Sequence, residues 1–232
     1  MKKSYNIGTY LSSQETVAGF CYFAFQLIFL PTILQWINLQ MADPLNAAEL
    51  NFVFYLVNFM AMLLIFHDFL DRSGRQVLQH PIYVGEALIL GFVGYYAMNF
   101  AVEWVMEQFL PSFSNYNDEA ISAMMRGNYF LMFVGTVVLV PPVEECFFRG
   151  LIFRNLYGKS RLAAYMVSIL AFAIIHIIGY IGKYSAWELL IAVAQYLPAG
   201  LCLAWSYARS DTIFAPILIH AAINYIGITR MR

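Results

Sequence analysis

Seven stretches of the chain, near 17–39, 50–67, 82–105, 128–148, 162–181, 186–208 and 212–229, run for about 20 residues each with few or no charges. A hydrocarbon core about 30 Å thick takes about 20 residues of helix to cross. Lipid offers no partner for open backbone groups, so only helices or a closed barrel can span it, and the alternating pattern of barrel strands is missing. The chain is expected to fold as an all-α, polytopic transmembrane helical bundle of seven or eight membrane helices. Composition agrees, with 61% hydrophobic and only 12% charged residues and a mean hydropathy of +0.65, well above a soluble globular domain.

A net charge of −1 supplies neither a basic tract for nucleic acid nor an acidic tail, so nucleic acid is excluded as a partner. Cys21, Cys146 and Cys202 each lie inside an apolar run with no CxxC or Cys/His spacing, and read as buried packing residues. The N-terminus pairs Lys2 with Lys3, but a polar stretch separates them from an apolar run too long for a signal-peptide core. No cleaved signal is expected. One membrane domain spanning 1–232 accounts for the chain, its motif-bearing core at about 128–229.

With the N-terminus inside, Lys2, Lys3, Arg72, Arg75, Arg154, Lys159, Arg161 and Arg209 fall on the cytoplasmic side, and Arg126, Lys183, Arg230 and Arg232 on the other. Eight against four favours a cytoplasmic N-terminus. An eighth helix or re-entrant piece would move Arg230 and Arg232 to the favoured side. In the longest polar connection, 103–127, the apolar positions Val102, Val105, Met106, Phe109 and Leu110 recur at helical spacing and suggest a stretch along the membrane surface.

Residues 141–149, PPVEECFFR, break the apolar rule, because three charges end one of the most hydrophobic runs. Charges at membrane depth are costly and usually face a bundle interior with a function. Pro141 and Pro142 predict a kink or a fresh helix start, with Glu144 and Glu145 in an N-terminal turn favoured by the helix dipole. Glu145 and Arg149, four apart, share a face and can neutralise each other. Glu144, about 100° round the helix, is left to aim elsewhere. The next segment is apolar except for Ser168 and His176, with Phe172 four residues before the histidine, and the last carries His220 and Asn224 at the same spacing. Alone, His176 reads as a core histidine on a backbone carbonyl and His220 with Asn224 as polar glue between helices. Together they place Glu, His, His and Asn at hydrophobic positions of three helices able to face one cavity. Glu86, Glu103, Glu188, His67 and His80 fall at helix ends or in connections and read as solvated or interfacial. Gln195 and Pro198 suggest a loosened helix beside the cavity.

The ordered patterns EExxxR (Glu144 to Arg149), FxxxH (Phe172 to His176) and HxxxN (His220 to Asn224) resemble the CPBP family, the type II CAAX prenyl endopeptidases and bacteriocin-processing or bacteriocin-immunity proteins also called Abi. The motifs cover about the C-terminal 90 residues; the first 120 or so match only in being hydrophobic. The resemblance implies an intramembrane endopeptidase acting on a membrane-associated peptide or protein. Glu144 with His176 would polarise a water, His220 and Asn224 would donate to the oxyanion, and Glu145 with Arg149 would orient the helix and balance charge. Glutamate and two histidines are also a familiar zinc set, but HExxH is lacking and Asn is a poor zinc ligand, so no cofactor is expected. The competing readings are a non-catalytic scaffold or bacteriocin-immunity protein of the same family, and an ion or proton pathway. A complete polar set favours the enzyme, and its confinement to three helices disfavours the pathway. Short loops without a soluble domain lean toward a bacterial cell membrane.

Overall fold

The computed structural model describes residues 8–111 and 113–231. Lys2, Lys3 and Arg232, which entered the charge count, lie outside these residues. Ten helices follow one another and, among the described residues, no strand is present. A capping box between Ser12 and Glu15 starts α1 (Ser13–Ile28). Pro31 lacks an N–H and so sits at the start of α2 (Leu30–Gln40), where the path bends by 49°. Asn46 caps α3 (Ala47–Ile65), the short α4 (His67–Gln79) follows, and α5 (Pro81–Phe109) runs for 29 residues. Asn115 caps α6 (Tyr116–Gly127). Then come α7 (Tyr129–Tyr157), α8 (Arg161–Ile177), α9 (Ala186–Ser210) and α10 (Phe214–Arg230).

All seven apolar stretches are helical in their expected order. Five helices are individually long and apolar enough to cross a membrane, six when bent α1–α2 counts as one span. At 17 residues, α10 is about 25 Å long at 1.5 Å per residue. The bundle turns apolar side chains outward and keeps charges inside. Leu64, Ile82, Phe100, Phe109, Phe130 and Leu162 are all exposed, whereas Glu145 and Arg149 are fully buried. That inversion suits a lipid solvent, where outward-facing charge is the expensive choice.

Half of α7 and half of α9 are buried, more than in the other candidate spans. Helix α9 packs along α5 and α8, and α7 meets α3, α8 and α10. Backbones come close where Gly200 of α9 faces Ile169 of α8, since a Cβ there would lie 2.9 Å from the isoleucine side chain. Phe66, Phe69, Phe147, Phe153 and Tyr207 pack into one buried aromatic cluster. Phe148, Phe172, Leu203 and Ile219 make a second, beneath the candidate site.

The prolines of α7 correct the expectation of a kink or fresh start. Pro141 and Pro142 lie inside one continuous 29-residue span, flanked by wide π-helical turns at Val134–Leu139 and Cys146–Phe153. A proline within an α-helix loses a hydrogen bond and clashes with the preceding turn, and the wider register accommodates it without ending the helix. Glu144 and Glu145 are therefore mid-span, and the dipole argument for them lapses. In the 103–127 connection, Val102, Val105, Met106 and Phe109 are the last turns of α5, and the separate helix is Tyr116–Gly127. Of the cysteines, Cys146 and Cys202 are buried, but Cys21 is exposed on the outside of α1.

Candidate active site

The acid of interest is carried by the middle of α7. Oε2 of Glu144 stands 3.9 Å from Nε2 of His176 on α8 and 3.9 Å from Nε2 of His220 on α10. The oxygen is buried without a protein hydrogen-bond partner. Both separations exceed a direct hydrogen bond, so the three groups face one small space from three helices.

The other ring nitrogen of each histidine is fixed. Nδ1 of His176 lies 2.7 Å from the carbonyl of Phe172, one helical turn back. A carbonyl only accepts, so this Nδ1 bears the proton and Nε2 of the neutral ring offers a lone pair. Its ring is stacked on Tyr196, with centroids 4.4 Å apart. Nδ1 of His220 lies 2.8 Å from Oε1 of Glu145, which also accepts from Arg149 at 3.0 Å. Arg149 donates further to the carbonyl of Gly200 at 3.2 Å and lies over the Phe172 ring at 4.5 Å. The expected Glu145/Arg149 pair is thus present and wholly buried, with a third member, His220, that spacing along the chain could not reveal.

Asn224 is positioned by a proline one helix away. In the π register of α7 the N–H of Val140 bonds to the carbonyl of Gly135, so the next such bond would run from residue 141 to Thr136. Pro141 has no N–H to give. The Thr136 carbonyl accepts instead from Nδ2 of Asn224, at 2.9 Å. The second proton of that amide remains for another acceptor.

These groups form the inner wall of a cavity of about 430 Å³, which extends past Tyr55, Gln195 and Tyr196 to Glu103, Asp118 and Arg230 at the ends of α5, α6 and α10. The rim is held by Asn115, which donates to Gln195 at 2.7 Å, and by Tyr116, which donates to Glu188 at 2.9 Å. A smaller crevice of about 100 Å³, lined by Phe23, Leu27, Phe54, Val143, Phe147 and Ile175 among others, reaches Glu144 from the side of α1 and α3. All seven residues singled out in sequence converge here: Glu144, His176, His220 and Asn224 line the cavity, Phe172 lies beneath both histidines, and Glu145 with Arg149 lies behind His220. Sequence reasoning missed Thr136, Tyr55, Tyr196 and Asn115. Only Tyr55 and Tyr196, polar-tipped residues inside apolar runs, gave any signal. The remaining acids and histidines behave as expected: His67 and His80 are exposed and Glu86 pairs with Arg209. Glu103 alone gains a place, on the cavity wall.

A polytopic helical bundle that brings a carboxylate, two histidines and an amide to one cavity defines a membrane protein with a polar pocket between its helices. Comparison with known families makes this specific: residues 126–226 match the model of the type II CAAX prenyl endopeptidase Rce1-like family. The matched segment contains all three motifs, and the resemblance they carried holds for it. The match covers less than half of the chain, so it is this segment that is similar to the family, while the apolar helices mark the chain as an integral membrane protein. No curated protein and no solved structure matches the chain. No three His, Cys, Asp or Glu side chains among the described residues are grouped to hold a metal ion.

Proposed function

We propose that the chain is an intramembrane glutamate peptidase of the CPBP type that hydrolyses a peptide bond of a membrane-associated peptide or protein. The observation that carries this reading is the position of Glu144 Oε2, partnerless and 3.9 Å from each of two Nε2 atoms at the inner end of an open cavity. A water with hydrogen bonds of about 2.8 Å to two atoms at that separation joins them at close to a right angle, so one water fits between Glu144 and a histidine.

Proton inventory assigns the roles. Glu144 and a neutral Nε2 atom are acceptors, and a water has two protons to donate. In this scheme His220 is the donor toward the substrate, because its Nδ1 is held by the Glu145 carboxylate, and His176, whose Nδ1 faces a neutral carbonyl, is the acceptor. The water donates to Glu144 and His176, and its oxygen attacks the scissile carbonyl carbon as Glu144 takes its proton. Nε2–H of His220 and the free N–H of Asn224 donate to the oxyanion. Collapse of the tetrahedral intermediate breaks the C–N bond, and the proton on Glu144 passes to the departing nitrogen, leaving an amine and a carboxylic acid that keeps the water's other proton. No cofactor enters these steps, and the partners are the peptide substrate and the bilayer.

The test is peptide cleavage by purified protein in detergent or liposomes, wild type against Glu144→Gln and His176→Ala, with and without a chelator. General acid–base catalysis is worth roughly 100- to 10,000-fold, and a loss of that size is expected for Glu144→Gln. Cleavage by both variants at the wild-type rate would sink the proposal. Loss on chelation of the wild type would replace the metal-free scheme with a metal-dependent one.

A further inference from the structure

The cavity and most of the basic residues lie at opposite ends of the bundle. At one end, Arg154 Nε donates to the Thr9 carbonyl at 2.5 Å, Arg72 donates to the Tyr10 carbonyl at 3.2 Å, and Thr9 N–H donates to Asp211 at 3.0 Å. Thr212 donates to the carbonyl of Ser73 at 2.8 Å, and Arg209 pairs with Glu86. These bonds gather the chain before α1, α4, the start of α5, the α7–α8 turn and the α9–α10 corner on one face. Arg72, Arg75, Arg154, Lys159, Arg161 and Arg209 all belong to it. At the other end, Asn115 bonds Gln195, Tyr116 bonds Glu188, and Tyr180 donates to the Tyr116 carbonyl at 3.1 Å. This second face joins α6, the α8–α9 connection and the end of α10, and carries Arg126, Lys183 and Arg230. The cavity runs from Glu144 to this second face, ending among Glu103, Asp118 and Arg230. No residue of the basic face lines it.

Among the described residues, leaving aside Arg149 buried within the bundle, the basic side chains divide six to three. Lys and Arg in short loops are retained on the cytoplasmic side, whereas Asp and Glu have little influence. The six-residue face is then cytoplasmic. We infer that the cavity opens on the extracytoplasmic side, so that the peptide segment it takes is presented from outside the cytoplasm. The assignment of a substrate side rests on the peptidase reading above; the sidedness of the cavity does not.

Two charge-neutral positions test it in the full-length chain expressed in bacterial cells. Ser114 is exposed in the connection before α6 and outside the cavity wall, and Gly158 is exposed in the α7–α8 turn with open space about it. In a Cys21→Ser background, Ser114→Cys should react with a membrane-impermeant maleimide in intact cells as fully as in permeabilised ones. Gly158→Cys should lose nearly all its labelling in intact cells and recover it on permeabilisation. The reverse pattern, or both positions behaving alike, overturns the inference. Glu144→Gln in the same backgrounds should leave labelling unchanged. Inverted labelling with cleavage intact therefore rejects the sidedness alone, and the expected labelling without any cleavage rejects the peptidase alone.

Discussion

Glu145 and Glu144 are neighbours in sequence with opposite circumstances. Glu145 is fully buried and holds Arg149 and His220 through one oxygen, whereas Glu144 aims its Oε2 at a cavity with nothing to hold it. Removing one partner of a buried ion pair costs about 3–5 kcal/mol, because the other charge is left uncompensated. Glu145→Ala should therefore lower the stability in detergent sharply, and Glu144→Gln should leave it within about 0.5 kcal/mol of wild type while slowing cleavage roughly 100- to 10,000-fold. Similar thermal shifts for the two would refute the division of roles. Asn224→Ala removes one oxyanion donor and is expected to cost about 100- to 1000-fold in kcat. Combined with Glu144→Gln it should add little, since residues that act as a unit are not additive. These roles were partly legible in the sequence. Charges at membrane depth announce themselves, and the i, i+4 spacing of Glu145 and Arg149 gives their pairing directly. The contact of His220 with Glu145 lies 75 positions apart in the chain, and nothing local encodes which ring nitrogen faces which acid.

At the level of the element, α7 is where expectation and structure diverge. Proline normally stops a helix, and the sequence reads PP before EE as a beginning. In the bundle, packing on α3, α8 and α10 carries the helix through, with π turns absorbing the misfit. The missing N–H of Pro141 then becomes useful, because it frees the Thr136 carbonyl for Asn224. Pro141→Ala restores the donor and removes a helix-interior proline, whose cost is about 3 kcal/mol in an ordinary helix. The variant should be at least as thermostable as wild type, yet cleave more slowly, since Thr136 no longer needs Asn224. Its loss should fall mainly on kcat and should not exceed that of Asn224→Ala. Wild-type kcat in a folded Pro141→Ala protein would show that the carbonyl does not position the amide. Helix order was visible from apolar run lengths alone, because lipid imposes a similar minimum length on every span. Helix α4 was not, since its short amphipathic stretch has no such minimum length.

Across the whole molecule, charge is distributed as unevenly as function. The face onto which the cavity opens carries Asp43, Glu49, Glu103, Glu107, Asp118, Glu119 and Glu188 against Arg126, Lys183 and Arg230. Glu103 and Asp118 line the cavity itself. A mouth of one dominant sign between low-dielectric walls concentrates ligands of the opposite sign, so peptides with Lys or Arg flanking the cleaved bond should be favoured over the same peptides with Asp or Glu. The attraction acts over a Debye length, about 10 Å at 0.1 M salt and about 3 Å at 1 M. Across that range kcat/KM for the basic peptide should fall roughly tenfold while that for the acidic peptide rises, both mainly through KM, because the rim steers encounter and does not touch the reacting bond. Glu103→Gln should flatten the slope for the basic peptide and leave kcat unchanged. Equal salt slopes for the two peptides would show that the acidic face plays no part in capture, and would leave the apolar crevice between α1 and α3 as the feature that selects the substrate.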